Sequence, residues 1–111
     1  MATVEECRSA LVSVVEKLAG DPEAARKVDL DRPLVCHIRD LDHYFHGRLQ
    51  AGKVTEFADG DDPQASIRFT VDSDDLVALV EGRLNLAAAW ASGRVSIKAG
   101  FGDLLKLRKL I

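Results

Sequence analysis

His37, His43 and His46 fall within ten residues of one another, with Asp40 and Asp42 between them. Imidazole nitrogens and a carboxylate are the donors a zinc site would use. The spacing opposes that use. His37 and His46 belong to the polar faces of two separate alternating runs, and His43 has the opposite parity to His46. Neighbouring side chains of a strand point to opposite faces and cannot meet at one ion without a bulge. Solvated strand histidines account for the pattern, and no metal is expected. The stretch Asp59-Gly60-Asp61-Asp62-Pro63 fails as a calcium loop, because Pro63 takes the fifth ligand position and Gln64 the place of the required glycine. It reads as a turn. Gly100-Phe101-Gly102 precedes a helical stretch as a phosphate loop would, but the third glycine of a dinucleotide pattern is replaced by Leu105. No Gly-x-Ser-x-Gly elbow, spaced Cys–His set or acid–base pair occurs. No catalytic residue and no cofactor is expected, and the chain is read as not being an enzyme.

Binding has more support. At 100° per residue, Leu104, Leu105, Leu107, Leu110 and Ile111 spread over about 220° of the final helix. A helix apolar over that arc needs cover on more than one side. Arg108 falls inside the arc, where a guanidinium must snorkel out, pair with a carboxylate of the protein, or meet an anionic ligand group. Trp90 stands alone on a helix of alanines, Ala87, Ala88, Ala89 and Ala91. Small residues around one large ring let the helix sit close to a sheet or leave space beside it, so core packing and a pocket wall both fit.

The elements that must position these residues follow from period and punctuation. Thr3 with Glu6 forms a capping box, and Val4, Cys7, Leu11, Val14, Val15 and Leu18 recur at helical spacing up to Gly20. This predicts a helix over 4–19, and Asp21-Pro22 caps a short second turn. Four alternating runs follow, around Leu34–Ile38, Tyr44–Leu49, Val54–Ala58 and Ala65–Val71, in the manner of an antiparallel meander. The period then changes. Ser73 caps a helix over 74–81 ended by Gly82, and Asn85 caps another over 86–92 ended by Gly93. Val95, Ile97 and Ala99 make a fifth strand, and a last helix starts near Gly102. The fold class is α+β: a five-stranded, mostly antiparallel sheet with helices packed on one face.

With 111 residues the chain reads as a single domain over 1–111. A 47% apolar, 30% charged composition is that of a globular protein. The net charge of −3 speaks against a nucleic-acid partner, yet it hides an asymmetry. Residues 83–111 carry six cations against one anion, and residues 1–82 nine against seventeen, so a +5 end sits on a −8 body. Such an end can make transient contact with an anionic membrane. It equally suits a solvated helix face. No stretch reaches the roughly eighteen apolar residues of a membrane span, and Met-Ala-Thr-Val-Glu-Glu is not a signal peptide, so a cytoplasmic location is expected. Cys7 and Cys36 lie on apolar faces, which favours buried free thiols.

Between Ile67 and Ile111 the chain resembles the sterol carrier protein-2 (sterol-binding) domain family. The resemblance rests on Ser73-Asp74-Asp75-Leu76, Gly82-Arg83-Leu84-Asn85, the run from Ala89 to Gly93-Arg94-Val95-Ser96-Ile97, and Leu105-Lys106-Leu107, in that order. It departs from the family pattern at Asp103, Arg108 and Ala99-Gly100-Phe101-Gly102; an anionic lipid suits Arg108. The resemblance implies a sheet whose helices enclose an apolar tunnel for a fatty acid, acyl-CoA or sterol-like lipid, with no catalysis of its own. The expected ligand-binding residues are Phe69, Leu76, Leu79, Val80, Leu84, Trp90, Ile97, Phe101, Leu104, Leu105, Leu107, Arg108 and Leu110. The alternative is a protein-interaction or homodimerisation module of a lipid-metabolising enzyme system, with the last helix buried against a partner.

Overall fold

The capping box forms as its spacing predicts: the Thr3 hydroxyl accepts from the Glu6 N–H and the Glu6 carboxylate accepts from the Thr3 N–H, both at 3.1 Å. In a computed structural model of the protein, which describes residues 1–27 and 30–108, helix α1 spans Val4–Ala19 and α2 spans Pro22–Lys27. Strands β1 (Asp31–Ile38), β2 (His43–Gln50), β3 (Lys53–Asp59) and β4 (Ile67–Val71) follow. Helices α3 (Ser73–Val80) and α4 (Leu86–Ala91), strand β5 (Val95–Lys98) and helix α5 (Phe101–Arg108) complete the order. Asn85 caps α4 by accepting from the Ala88 N–H.

The sheet is mixed, in the order β3-β2-β1-β4-β5. Only β1–β2–β3 is a meander. β4 leaves that run, crosses to the other side of β1 and pairs with it in parallel, while β5 pairs antiparallel with β4. Alternation in sequence fixes which side chains share a face but not which strand lies alongside. Ile67 and Val71 are buried almost completely, and a place between β1 and β5 gives them cover that an exposed strand such as β3 would not. Register places Leu34, Cys36, Ile38, Phe45, Ile67, Phe69, Val71, Val95 and Ile97 on one face, toward the helices. Val35, on the opposite face, is also fully buried, flanked by its register partners His46 and Arg68.

The ladder between β2 and β3 is irregular. Its pairing slips between His46 and Arg48, and Glu56 takes a left-handed φ of 57°. This bulge turns Phe57 inward, where its ring stacks on Phe45 at 5.7 Å and an interplanar angle of 9°. Gly47 faces β3 so closely that an added Cβ would lie 3.0 Å from Val54 Cγ1 and 3.1 Å from the Thr55 carbonyl oxygen.

Ser73 does not cap α3. Asp72 takes the cap position and its carboxylate accepts instead from Arg39 Nε at 3.0 Å. The Ser73 hydroxyl is fully buried and points inward, donating to Asp40 at 2.6 Å and accepting from the Ala2 N–H at 3.1 Å. A residue able to cap is used as a rivet between the chain start, the β1–β2 turn and α3.

Candidate functional site

An apolar cavity of about 390 Å³ lies between the inner sheet face and the helices. Helix α1 contributes Leu11, Val14, Val15 and Leu18, the later part of its apolar stripe. The strands contribute Leu34, Cys36, Phe45, Leu49, Val54, Phe57, Phe69, Val71 and Val95. Leu76, Leu79 and Val80 of α3, then Leu84 and Leu86, close one side, and Leu107 of α5 closes the far end. Lys17 is the charged residue on the wall; His46 borders it from a strand position whose register belongs to the other face of the sheet, and no described carboxylate joins them. Lys17 and Leu86 are at once on the wall and solvent-exposed, so they mark the mouth.

An evacuated apolar void of this size would cost roughly 9 kcal/mol at about 24 cal/mol per Å³, comparable to the whole stability of a small domain, about 5–15 kcal/mol. The space is therefore one that solvent or a ligand enters. A separate, shallower groove of about 440 Å³ between α1 and α3 has Glu5, Glu6 and Glu81 on its rim. That acidic rim suits no acidic lipid.

The cavity walls are held by polar contacts outside them. Arg8 on α1 pairs with Asp59 at the end of β3, and His43 Nε2 lies 3.0 Å from the same carboxylate. The Arg8 hydrogen bond, with His43 second, holds the Asp59 carboxyl below its usual value. Arg8 also sits over the Phe45 ring, 5.7 Å from its centroid. Desolvation works against the Asp40 carboxylate, but the hydrogen bonds from the Ser73 hydroxyl and N–H outweigh it, and this carboxyl too is lowered. At the other end Arg32 Nε donates to Asp103 at 3.2 Å, tying α5 to β1. Asp103 thus has a structural use.

Six of the residues expected from sequence lie on the cavity wall: Phe69, Leu76, Leu79, Val80, Leu84 and Leu107. Trp90, Ile97, Phe101, Leu104, Leu105 and Arg108 do not. Trp90 belongs to α4, which contacts β5 at the sheet edge and borders the cavity through its first residue, Leu86, rather than through Trp90. Ile97 packs against the core clusters. Phe101 is 79% and Leu105 47% exposed, so only one stripe of α5 turns inward and Arg108 lies on its solvent side. Leu110 lies outside the described residues. The expectation missed the whole contribution of α1, whose apolar spacing was nevertheless legible, and that of Phe57, whose inward turn depends on the bulge.

The three histidines do not converge. His37 stacks on Tyr44 at 4.2 Å and lies 3.1 Å from Asp42, whereas His43 turns to Asp59 on the other face. Among the described residues no three His, Cys, Asp or Glu side chains gather at a metal-binding distance.

Residues 14–111 match the model of the SCP-2 sterol transfer family. The chain belongs to that family. SCP-2 family membership carries binding or transfer of an apolar lipid or sterol as its general property. Compared by sequence, no curated protein matches the chain. Compared by structure, it is similar to Sterol Carrier Protein 2 Like 2 from Aedes aegypti, with 19% identity, a TM-score of 0.71 and coverage of 96% of this chain and 97% of the other. The palmitated form of that protein in solution gives 22% identity, a TM-score of 0.67 and coverage of 98% and 94%. The sec-alkylsulfatase Pisa1 from Pseudomonas sp. gives 24% identity and a TM-score of 0.57 over 76% of this chain, which spans 13% of that enzyme. These likenesses show the SCP-2 fold, occurring as a whole protein and as a small part of a larger one.

Proposed function

We propose that the chain binds a single apolar lipid chain in the cavity between α1, α3 and the sheet, and carries it without chemical change. The observation that supports this most is the wall itself: about 390 Å³ lined almost wholly by aliphatic and aromatic side chains, with one exposed lysine at the mouth. Burying a sixteen-carbon chain contributes roughly 12 kcal/mol gross at about 0.8 kcal/mol per methylene. Association and ordering costs are subtracted from this, which leaves micromolar affinity with weak discrimination of chain length. Lys17 and His46 offer no nucleophile paired with a base, so the reading is non-catalytic. The palmitated Aedes aegypti protein of the same fold supports a fatty acyl chain as the occupant. Native mass spectrometry of gently purified protein, with titration of a fluorescent fatty acid, tests it. Co-purified lipid or saturable 1:1 binding is expected; absence of both overturns the proposal.

A second reading attaches to α5. Phe101, Leu105 and Arg108 follow at i, i+4 and i+7, and all three are exposed. An apolar pair beside a cation suits docking on an anionic bilayer for lipid delivery. Double substitution Phe101→Ser with Leu105→Ser is expected to reduce sedimentation with phosphatidylserine vesicles. Unchanged sedimentation overturns this reading, and loss of a dimer instead points to the interaction module.

A further inference from the structure

We infer that Lys17 makes the cavity selective for lipids with an anionic head group by pairing with that group at the mouth. The inference rests on the lipid-binding reading above. Lys17 lies in the last turn of α1, is exposed, and still forms part of the cavity wall. It makes no ion pair and no side-chain hydrogen bond with any described residue. Two cations on the surrounding elements are occupied: Arg8 by Asp59 and Glu5, and Arg32 by Asp103. Arg108, the cation expected from sequence to meet the ligand, is off the wall.

The carboxylates on α1 do not answer Lys17. Glu5 and Glu6 face the separate groove toward α3, and Glu16 is the chain neighbour, about 100° round the helix. A ligand with its apolar chain among Val14, Leu18 and Leu79 has its head at the mouth. A hydroxyl head would leave the ammonium to water. A carboxylate or phosphate monoester would pair with it.

The pairing is a selector rather than the source of affinity. An exposed ion pair contributes up to about 1 kcal/mol, which is roughly fivefold in the dissociation constant. Lys17 also suits the negative end of the α1 dipole, and a purely structural role there would affect every ligand alike.

The test uses the full chain at low salt, with palmitate and hexadecanol displacing a fluorescent probe from the cavity. Lys17→Gln is expected to weaken palmitate about three- to fivefold and leave hexadecanol within twofold. Lys17→Glu is expected to weaken palmitate about tenfold, and Lys17→Arg to restore it. Added salt should erase the difference between wild type and Lys17→Gln. Parallel weakening of both ligands, or an effect of Arg108→Gln equal to that of Lys17→Gln, overturns the inference. Failure of wild type to bind either ligand overturns the lipid-binding reading itself.

Discussion

Phe45→Ala removes the side chain on which the inner wall converges. The ring is 1% exposed. It stacks on Phe57 at 5.7 Å, receives the His43 ring edge-on at 4.8 Å and lies under Arg8. Truncating a buried phenylalanine costs about 3–5 kcal/mol, transfer and cavity terms together. Here the new hole opens into space already present, so the walls have little means of collapsing, and the upper half of that range is expected. The stacked pair with Phe57 should add a coupling of about 0.5–1.5 kcal/mol in a double-mutant cycle. Because about 4 kcal/mol is most of the stability of a domain at the low end of the range, Phe45→Leu, expected to cost under about 1.5 kcal/mol, is the companion variant. Urea unfolding followed by circular dichroism measures both. The alanine variant should unfold at a far lower midpoint with an unchanged slope. Saturating fatty acid at 100 times its dissociation constant should return about 2.7 kcal/mol to wild type. A loss under about 1 kcal/mol for Phe45→Ala, or no coupling to Phe57→Ala, refutes the view that this stack builds the cavity wall.

Individual contacts carry the other expected outcomes. Ser73→Ala should cost about 1–3 kcal/mol in urea unfolding, since it leaves the buried Ala2 N–H without its acceptor and takes one donor from Asp40. The lowered carboxyls of Asp40 and Asp59 mean that the folded state holds fewer protons than the unfolded one near their ordinary value of 3.8. Their stabilisation is therefore present above that pH and lost as pH falls through the lower folded values; urea midpoints should decline below about pH 4, less steeply in Ser73→Ala. Gly47→Ala should destabilise by about 1–3 kcal/mol through its approach to Val54 and the Thr55 carbonyl. By contrast Gly102→Ala, with open space around it inside α5, should stabilise by about 0.5–1 kcal/mol. Burial, with Cys7 second, pushes the Cys36 thiol up to about 12, and burial likewise raises Cys7. A disulfide reagent at pH 8 should label neither quickly until urea exposes both.

Local punctuation carries much of the fold. Thr3, Asn85, Gly82 and Gly93 place helix ends within a residue or two of where they lie, because capping and left-handed stops depend on neighbours in the chain. Alternation likewise sets the inner faces of β1, β2 and β4. Five apolar residues spread around the last helix do not reveal which of them will be covered. The amphipathic stripe of α1 is equally visible in the sequence, but spacing alone does not say whether such a stripe meets solid core or lines a cavity.

Sequence alone determined the element types, the inner side chains of the strands and the family, since each depends on short-range chemistry or on spacing. Tertiary structure decided the rest. It placed β4 in parallel beside β1, where Ile67 and Val71 gain cover on both flanks. It turned Phe57 inward through a bulge at Glu56, and it used Ser73 as a buried rivet instead of a cap. It also set Arg108 outside and Lys17 at the cavity mouth. Which cation faces an apolar space depends on how helices dock against the sheet, and that docking is fixed only when distant side chains pack together.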